Sequence, residues 1–130
     1  QVLARLEMPE PKTGEEIELP LEKLSTKKGT SAVYQLRFPK IGRYELVFRM
    51  SSTLGELAQL PISVFLNNTL QQTVTLNGTE GQTMERVVTL PIRQDDEKYM
   101  KLYFGESGID MHRMFLRYAG QNDIESFRNE

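Results

Sequence analysis

The chain has 130 residues, of which 38% are hydrophobic and 26% are charged. This length and hydrophobic content suffice for the core of one folded domain, and the composition argues against disorder. Its 16 basic and 18 acidic residues give a formal net charge of −2, and this balance argues against nucleic-acid binding, which requires a concentrated basic surface. Cysteine is absent, which excludes disulfides, zinc–thiolate sites and cysteine nucleophiles, and no apolar run approaches the roughly 20 residues of a membrane-spanning helix.

The first half of the chain predicts four strands. Two weak candidates cover residues 2–8 and 16–19. A stronger alternation of apolar and polar side chains follows over residues 32–38 and 44–50, on either side of the turn residues 39–42. Two such strands joined by a short turn with proline and glycine predict an antiparallel hairpin.

The second half predicts five further strands. One covers residues 60–66 and stops at Asn67-Asn68, and the next covers about 71–76 and stops at Asn77-Gly78. The last three cover residues 85–92, 99–104 and 109–118. The helical signal is limited to one turn over residues 53–60 and a frayed tail over 123–128. These stretches are too short for a layer, which excludes a parallel α/β architecture.

About nine short strands with regularly spaced turns predict an all-β fold, an antiparallel β-sandwich of the jelly-roll type. We predict that residues 1–120 form this single domain. The polar residues 121–130 are predicted to be a tail or the start of a linker.

The sequence offers little catalytic chemistry. His112 is the only histidine, it lies in a strand-like segment, and no nucleophile of recognisable context stands near it in the sequence. The acidic run Asp95-Asp96-Glu97 is expected to form a turn, and residues 105–108 are expected to form a hairpin loop. We therefore predict that the chain is not an enzyme.

Several segments, taken in order, carry a resemblance to a known family. Tyr34 is followed by Phe38-Pro39-Lys40-Ile41-Gly42-Arg43-Tyr44, a later strand ends in Asn67-Asn68, and residues 99–104 are followed by residues 108–114. Over about residues 29–118 this order is similar to that of carbohydrate-binding modules of families 6 and 35, which are galactose-binding-like jelly rolls. The resemblance implies the same fold and a role in holding polysaccharide or oligosaccharide.

The chain departs from this family where those modules grip sugar. Family 6 modules typically hold sugar in a loop cleft between two aromatic side chains, beside an asparagine near the last strand. Here Ser31, residues 81–85 and Gly108 stand at those positions, and the chain has no tryptophan. A second face could bind glycan instead, because an aromatic ring packs well against the apolar face of a pyranose. The candidate aromatic side chains are Phe65, Tyr99, Tyr103 and Phe115.

The resemblance also implies a structural calcium ion, which family 6 and 35 modules commonly hold with acidic residues near the first and last strands. The acidic residues at the matching positions are Glu7 and Asp110, with Glu18 as a third candidate. Calcium takes six to eight oxygen ligands, some of them backbone carbonyls.

These observations lead to two hypotheses for function. The first is a non-catalytic accessory module of a bacterial glycan-degrading protein that binds or positions polysaccharide near a tethered catalytic domain. The alternative is a structural β-sandwich that packs on a partner catalytic domain and binds no sugar. Both imply a secreted, cell-surface or periplasmic location, and neither involves nucleic acid or a membrane.

Overall fold

The computed structural model describes residues 2–93 and 97–120, which form nine strands. The strands are β1 (Val2–Glu7), β2 (Glu16–Glu18), β3 (Ser31–Arg37), β4 (Gly42–Ser51), β5 (Gln59–Leu66), β6 (Thr69–Asn77), β7 (Met84–Ile92), β8 (Glu97–Phe104) and β9 (Asp110–Gly120). Each strand coincides with a predicted one, and the all-β prediction is confirmed. The predicted tail over residues 121–130 lies outside the described residues.

The described residues contain no helix. The helical turn predicted over residues 53–60 is wrong, because residues 52–58 form a loop of bends and turns and β5 starts at Gln59. Glu97, expected in a turn, begins β8. Within the same residues, no helical segment is long and apolar enough to cross a membrane.

The strands form two sheets. One has five strands in the order β1-β3-β8-β5-β6, and the other has four in the order β2-β9-β4-β7. All neighbouring strands are antiparallel except β1 and β3, which run parallel. The parallel pair arises because β2, between them in the chain, belongs to the other sheet, so the chain crosses the sandwich and re-enters in the same direction.

The core lies between the sheets and consists of the side chains that alternate inward along the strands. Tyr44 is fully buried in it, with its ring centroid 4.9 Å from that of Phe38 and 5.0 Å from that of Tyr118. The hydroxyl of Tyr34, also buried, donates a hydrogen bond to the backbone oxygen of Pro20 at 2.7 Å. Burial and, to a lesser extent, the charge of Glu22 raise the pKa of Tyr34 to about 12.

The hairpin predicted for residues 32–50 is wrong. β3 and β4 lie in different sheets, and residues 38–41 carry the chain from one layer to the other. Alternation cannot separate these cases, because strands in two facing sheets also point every second side chain into one core. For the same reason residues 105–108 connect two sheets rather than closing a hairpin.

The hairpin that does form between consecutive strands joins β5 and β6 through Asn67 and Asn68. Both asparagines have positive φ, 48° and 67°, as the preferred two-residue hairpin turn requires.

Candidate functional site

The outer face of the five-stranded sheet exposes two tyrosines on its central strand, β8. Tyr99 is 47% exposed and Tyr103 is 40% exposed, whereas the alternate residues Met100, Leu102 and Phe104 are buried in the core. Four residues of strand separate the two tyrosine backbones by about 13 Å. The face therefore presents two ring surfaces along one line.

Neighbouring strands complete the surface around these rings. Between the tyrosines lies Lys101, whose Nζ is 4.6 Å from the centroid of the Phe65 ring on β5. Tyr103 lies opposite Ser31 on one side and Ser63 on the other. We call this surface the tyrosine face; it consists of Ser31, Val33, Gln35, Ser63, Phe65, Tyr99, Lys101 and Tyr103.

The β5–β6 turn holds one end of the tyrosine face in place. The Oδ1 atom of Asn67 accepts a hydrogen bond from the backbone N–H of Tyr99 at 2.8 Å, and the backbone N–H of Asn67 donates to the backbone oxygen of Tyr99 at 2.9 Å. Sequence analysis identified Asn67 only as a turn residue. The missing signal was the pairing of β5 with β8, which brings this turn beside a strand 32 residues later.

Phe115, the fourth predicted aromatic, lies on the other sheet and is 1% exposed. The guanidinium carbon of Arg113 is 4.1 Å from the centroid of its ring. Arg113 in turn bonds the carboxylates of Glu16 and Glu18, and these hydrogen bonds raise its pKa. The prediction that Phe115 could stack on sugar is therefore corrected, because Arg113, two residues earlier on the same strand and bonded by glutamates of β2, covers the ring.

Further ion pairs extend this cover across the outer face of the four-stranded sheet. Arg117 Nε is 2.9 Å from Glu45 Oε1, and Arg49 Nη2 is 2.9 Å from Glu85 Oε2. We call this surface the arginine face; it consists of Glu16, Glu18, Glu45, Arg49, Glu85, Arg113, Phe115 and Arg117.

Among the residues at the positions of the family's sugar cleft, Gln82 and Met84 line a cleft in this structure, whereas Ser31 and Gly108 do not. Ser31 belongs to the tyrosine face. At Gly108, a Cβ atom would lie 2.7 Å from Leu54 Cδ1, so the side chain of Leu54 occupies the adjoining space.

This cleft, which we call the loop cleft, has a volume of about 580 Å³. Its lining carries no aromatic side chain and consists of Met50, Glu56, Leu76, Asn77, Gly78, Thr79, Glu80, Gln82, Met84 and Arg86. The lining combines hydrogen-bonding side chains with the apolar side chains of Met50, Leu76 and Met84, but it has no aromatic ring on which a sugar could stack.

The loop of residues 52–58 beside this cleft is held by several hydrogen bonds. Asn77 Nδ2 donates to the backbone oxygens of Glu56 and Ala58, at 3.0 and 3.3 Å, and the backbone N–H of Gly81 donates to the oxygen of Ser52 at 2.7 Å. Nevertheless, the side chain of Leu57 is 95% exposed. The loop is thus anchored while presenting an apolar side chain to solvent.

The structure does not bring the predicted calcium ligands together. Glu7 belongs to the five-stranded sheet, whereas Glu18 and Asp110 belong to the four-stranded sheet. Glu18 pairs with Phe115, which is five residues and about 16 Å of strand from Asp110. Among residues 2–93 and 97–120, no three acidic or histidine side chains cluster as a metal site would require. Glu7, Glu18 and Asp110 therefore do not fit one calcium ion.

His112 does have a hydroxyl neighbour, contrary to the expectation from sequence. Its Nε2 atom lies 2.7 Å from Ser51 Oγ, because a bulge in β9 turns His112 towards the end of β4. In the described part of the chain, no carboxylate bonds the other ring nitrogen. The pair lacks the third group that orients the histidine of a catalytic triad.

No family model matches the chain. Among curated proteins, a β-glucosidase from Ruminococcus albus is 29% identical to it over 94 residues, which cover 72% of this chain and 10% of that protein. The chain thus spans about a tenth of the length of this relative.

Solved structures share the fold. A family 35 carbohydrate-binding module from Clostridium thermocellum superposes with a TM-score of 0.61 and 14% identity, covering 80% of this chain and 88% of that module. The C-terminal family 6 module of a laminarinase from Zobellia galactanivorans gives a TM-score of 0.55 and 18% identity, covering 70% and 74%. A β-glucosidase from Paenibacillus barengoltzii gives a TM-score of 0.53 and 16% identity, covering 87% of this chain and 13% of that enzyme.

The fold is therefore that of carbohydrate-binding modules of the family 6 and 35 type, as the sequence resemblance implied. The matched β-glucosidases are far longer than this chain, so it corresponds to a small part of each.

Proposed function

We propose that this chain is a non-catalytic carbohydrate-binding module of a bacterial glycan-degrading protein, and that the tyrosine face binds polysaccharide. The observation that carries the proposal is the joint exposure of Tyr99 and Tyr103 on one face of a fold used by carbohydrate-binding modules. Aromatic rings that are large, rigid and accessible stack on the C–H faces of pyranose rings at low cost in side-chain entropy.

Hydroxyl and amide groups surround the tyrosines. Ser31 and Ser63 flank Tyr103, and Gln35 lies opposite Tyr99. Sugar hydroxyls can exchange hydrogen bonds with these groups while the sugar ring packs on the tyrosine. A flat surface with two platforms about 13 Å apart suits an extended chain of sugars better than a single sugar.

The module would act by proximity. Weak contacts with an insoluble or polymeric substrate hold a tethered catalytic domain nearby and raise its effective concentration on the substrate. Such a module works outside the cytoplasm, where bacteria meet polysaccharides, and takes no part in bond cleavage.

The proposal is tested by affinity electrophoresis or calorimetry of the unaltered protein against a panel of polysaccharides. Tyr99→Ala and Tyr103→Ala should each weaken binding roughly three- to tenfold, since an aromatic contact contributes about 0.5–1.5 kcal/mol. Met84→Ala is the matched control, because Met84 is exposed but lies in the loop cleft. Loss of binding in Met84→Ala alone would place the site in the cleft, and a flat result across the panel would contradict the proposal.

A second candidate function is structural packing on a catalytic domain, and the exposure of Leu57 on an anchored loop favours it. Leu54 on the same loop is 40% exposed, so the loop presents two apolar side chains that a packed domain would remove from water. The long β-glucosidases that this chain matches make a glycoside hydrolase domain the natural partner.

Calorimetric unfolding of a polypeptide that carries both domains tests this packing. If the domains dock through Leu57, they should unfold in one coupled transition that Leu57→Ser separates into two. Two independent transitions in the unaltered polypeptide would contradict docking. Binding of glycan by the tyrosine face is compatible with either outcome, because Leu57 lies on a loop at the end of the sandwich.

A further inference from the structure

The five-stranded sheet is almost free of acidic residues. Its strands contain only Glu7, at the end of β1, and Glu97, at the start of β8. In the strand register both lie in the same end row, opposite Arg37 on β3. The rows that contain Tyr99, Lys101 and Tyr103 therefore carry no carboxylate from any strand of this sheet.

Lys101 lies at the centre of these rows without an acidic partner. Its Nζ packs over the Phe65 ring, and within the described residues no carboxylate lies within salt-bridge distance. Lys101 is also only partly exposed. A cation–π contact holds the ammonium in place but leaves its other N–H donors directed away from the ring.

A second cation stands beside the same surface. Arg5 on β1 donates from Nε to Gln35 Oε1 at 2.8 Å, and Gln35 is the residue opposite Tyr99. Its hydrogen-bond partner is a neutral amide, and within the described residues no carboxylate lies within salt-bridge distance of it. By contrast, the basic side chains of the arginine face bond carboxylates. The chain has a net charge of −2, yet Lys101 and Arg5, on or beside its tyrosine face, form no ion pair with a described residue.

We propose that the glycan bound by the tyrosine face is anionic, an extended polysaccharide whose carboxylates or sulfate esters bind Lys101 and Arg5. This inference rests on the proposed function and names its substrate class. A neutral sugar laid across Lys101 would displace water from the ammonium and offer only hydroxyl groups in return. A carboxylate or sulfate oxygen instead forms a charge-assisted hydrogen bond, which is roughly twice as strong as a neutral one.

The test compares polymers that share a backbone and differ in charge. Calorimetry or affinity electrophoresis is run with polygalacturonate and its carboxyl-reduced neutral form, and separately with λ-carrageenan and its desulfated form. The first pair tests carboxylates and the second tests sulfate esters. We expect at least one charged polymer to bind roughly tenfold tighter than its neutral counterpart, with an affinity that falls as salt rises.

Lys101→Met removes the charge while keeping an apolar stem over Phe65, and it should abolish the preference for the charged polymer. Lys40→Met is the matched control, because Lys40 Nζ lies 5.2 Å from the centroid of the Tyr118 ring, another cation–π contact. The control should retain the preference.

The outcomes separate this inference from the proposed function. Equal binding of charged and neutral polymers, unchanged in Lys101→Met, overturns the anionic preference and leaves glycan binding at the tyrosine face intact. A preference that Lys40→Met loses as fully as Lys101→Met would reflect general ionic attraction and also overturns the inference. Absence of binding to every polymer overturns both.

Discussion

The outer faces of the two sheets use similar side chains in opposite ways. On the arginine face, Phe115 is covered by Arg113, and glutamates on the neighbouring strand bond that arginine. On the tyrosine face, Tyr99 and Tyr103 are exposed, and the one cation between them has an aromatic partner instead of an acidic one.

The difference lies in which residues the register places opposite each other. Glu18 of β2 pairs with Phe115 of β9, so its carboxylate is within reach of Arg113 and fixes it over the ring. Lys101 of β8 pairs with Val33 and Phe65, which offer no negative charge. Cross-strand neighbours thus decide whether an outward aromatic ring is covered or available for binding.

The largest expected effect is on the free energy of unfolding, and it should differ between an aromatic residue of the arginine face and one of the tyrosine face. Phe115→Ala should destabilise the protein by about 3–5 kcal/mol because it empties a packed site. Tyr103→Ala should change stability by less than about 1 kcal/mol because its ring is already partly in water. Urea denaturation of both variants measures this difference. Equal destabilisation would show that the ring of Tyr103 contributes as much to folding stability as the ring of Phe115, contrary to this prediction.

A second prediction concerns Tyr34, which is buried, unlike Tyr99 and Tyr103. Because the pKa of Tyr34 is about 12 in the folded protein and 10 in the unfolded chain, its contribution to stability is complete below pH 10. That contribution is lost as the pH rises from 10 towards 12, since the unfolded chain releases the proton first.

Urea midpoints measured from pH 8 to 11.5 should therefore fall above pH 10. Tyr34→Phe should lose about 1 kcal/mol at pH 8, where the hydrogen bond to Pro20 is missing, but should show a shallower fall above pH 10. An equally steep fall in Tyr34→Phe would assign the alkaline instability to other groups.

The smallest expected effect on stability comes from adding to the tyrosine face a carboxylate that can bond Lys101, as the glutamates of the arginine face bond its arginines. Val33→Glu places a carboxylate directly opposite Lys101 on the neighbouring strand. A cross-strand ion pair contributes only about 0.2–1 kcal/mol, so the urea midpoint should hardly move. If Lys101 selects anionic glycan, this variant should lose that preference, and Val33→Gln should keep it. Retained preference in Val33→Glu would contradict the role of Lys101.

The sequence by itself determined the positions of the nine strands, because alternation of apolar and polar side chains is the pattern of strands with one face on a core. It also determined that Tyr99 and Tyr103 share a face, since residues four apart on a strand point the same way. It could not distinguish Tyr99 from Phe115 as candidates, because both stand at outward positions and exposure depends on what neighbouring strands contribute.

Only the tertiary structure decided which strands are neighbours. It assigned β3 and β4 to different sheets, paired β1 with β3 in parallel, and separated Glu7 from Glu18 and Asp110. It also brought Phe65, Lys101 and Asn67 to the tyrosine face. The physical reason is that alternation specifies the face on which a side chain lies, whereas partners across strands are set by how the whole chain closes around its core.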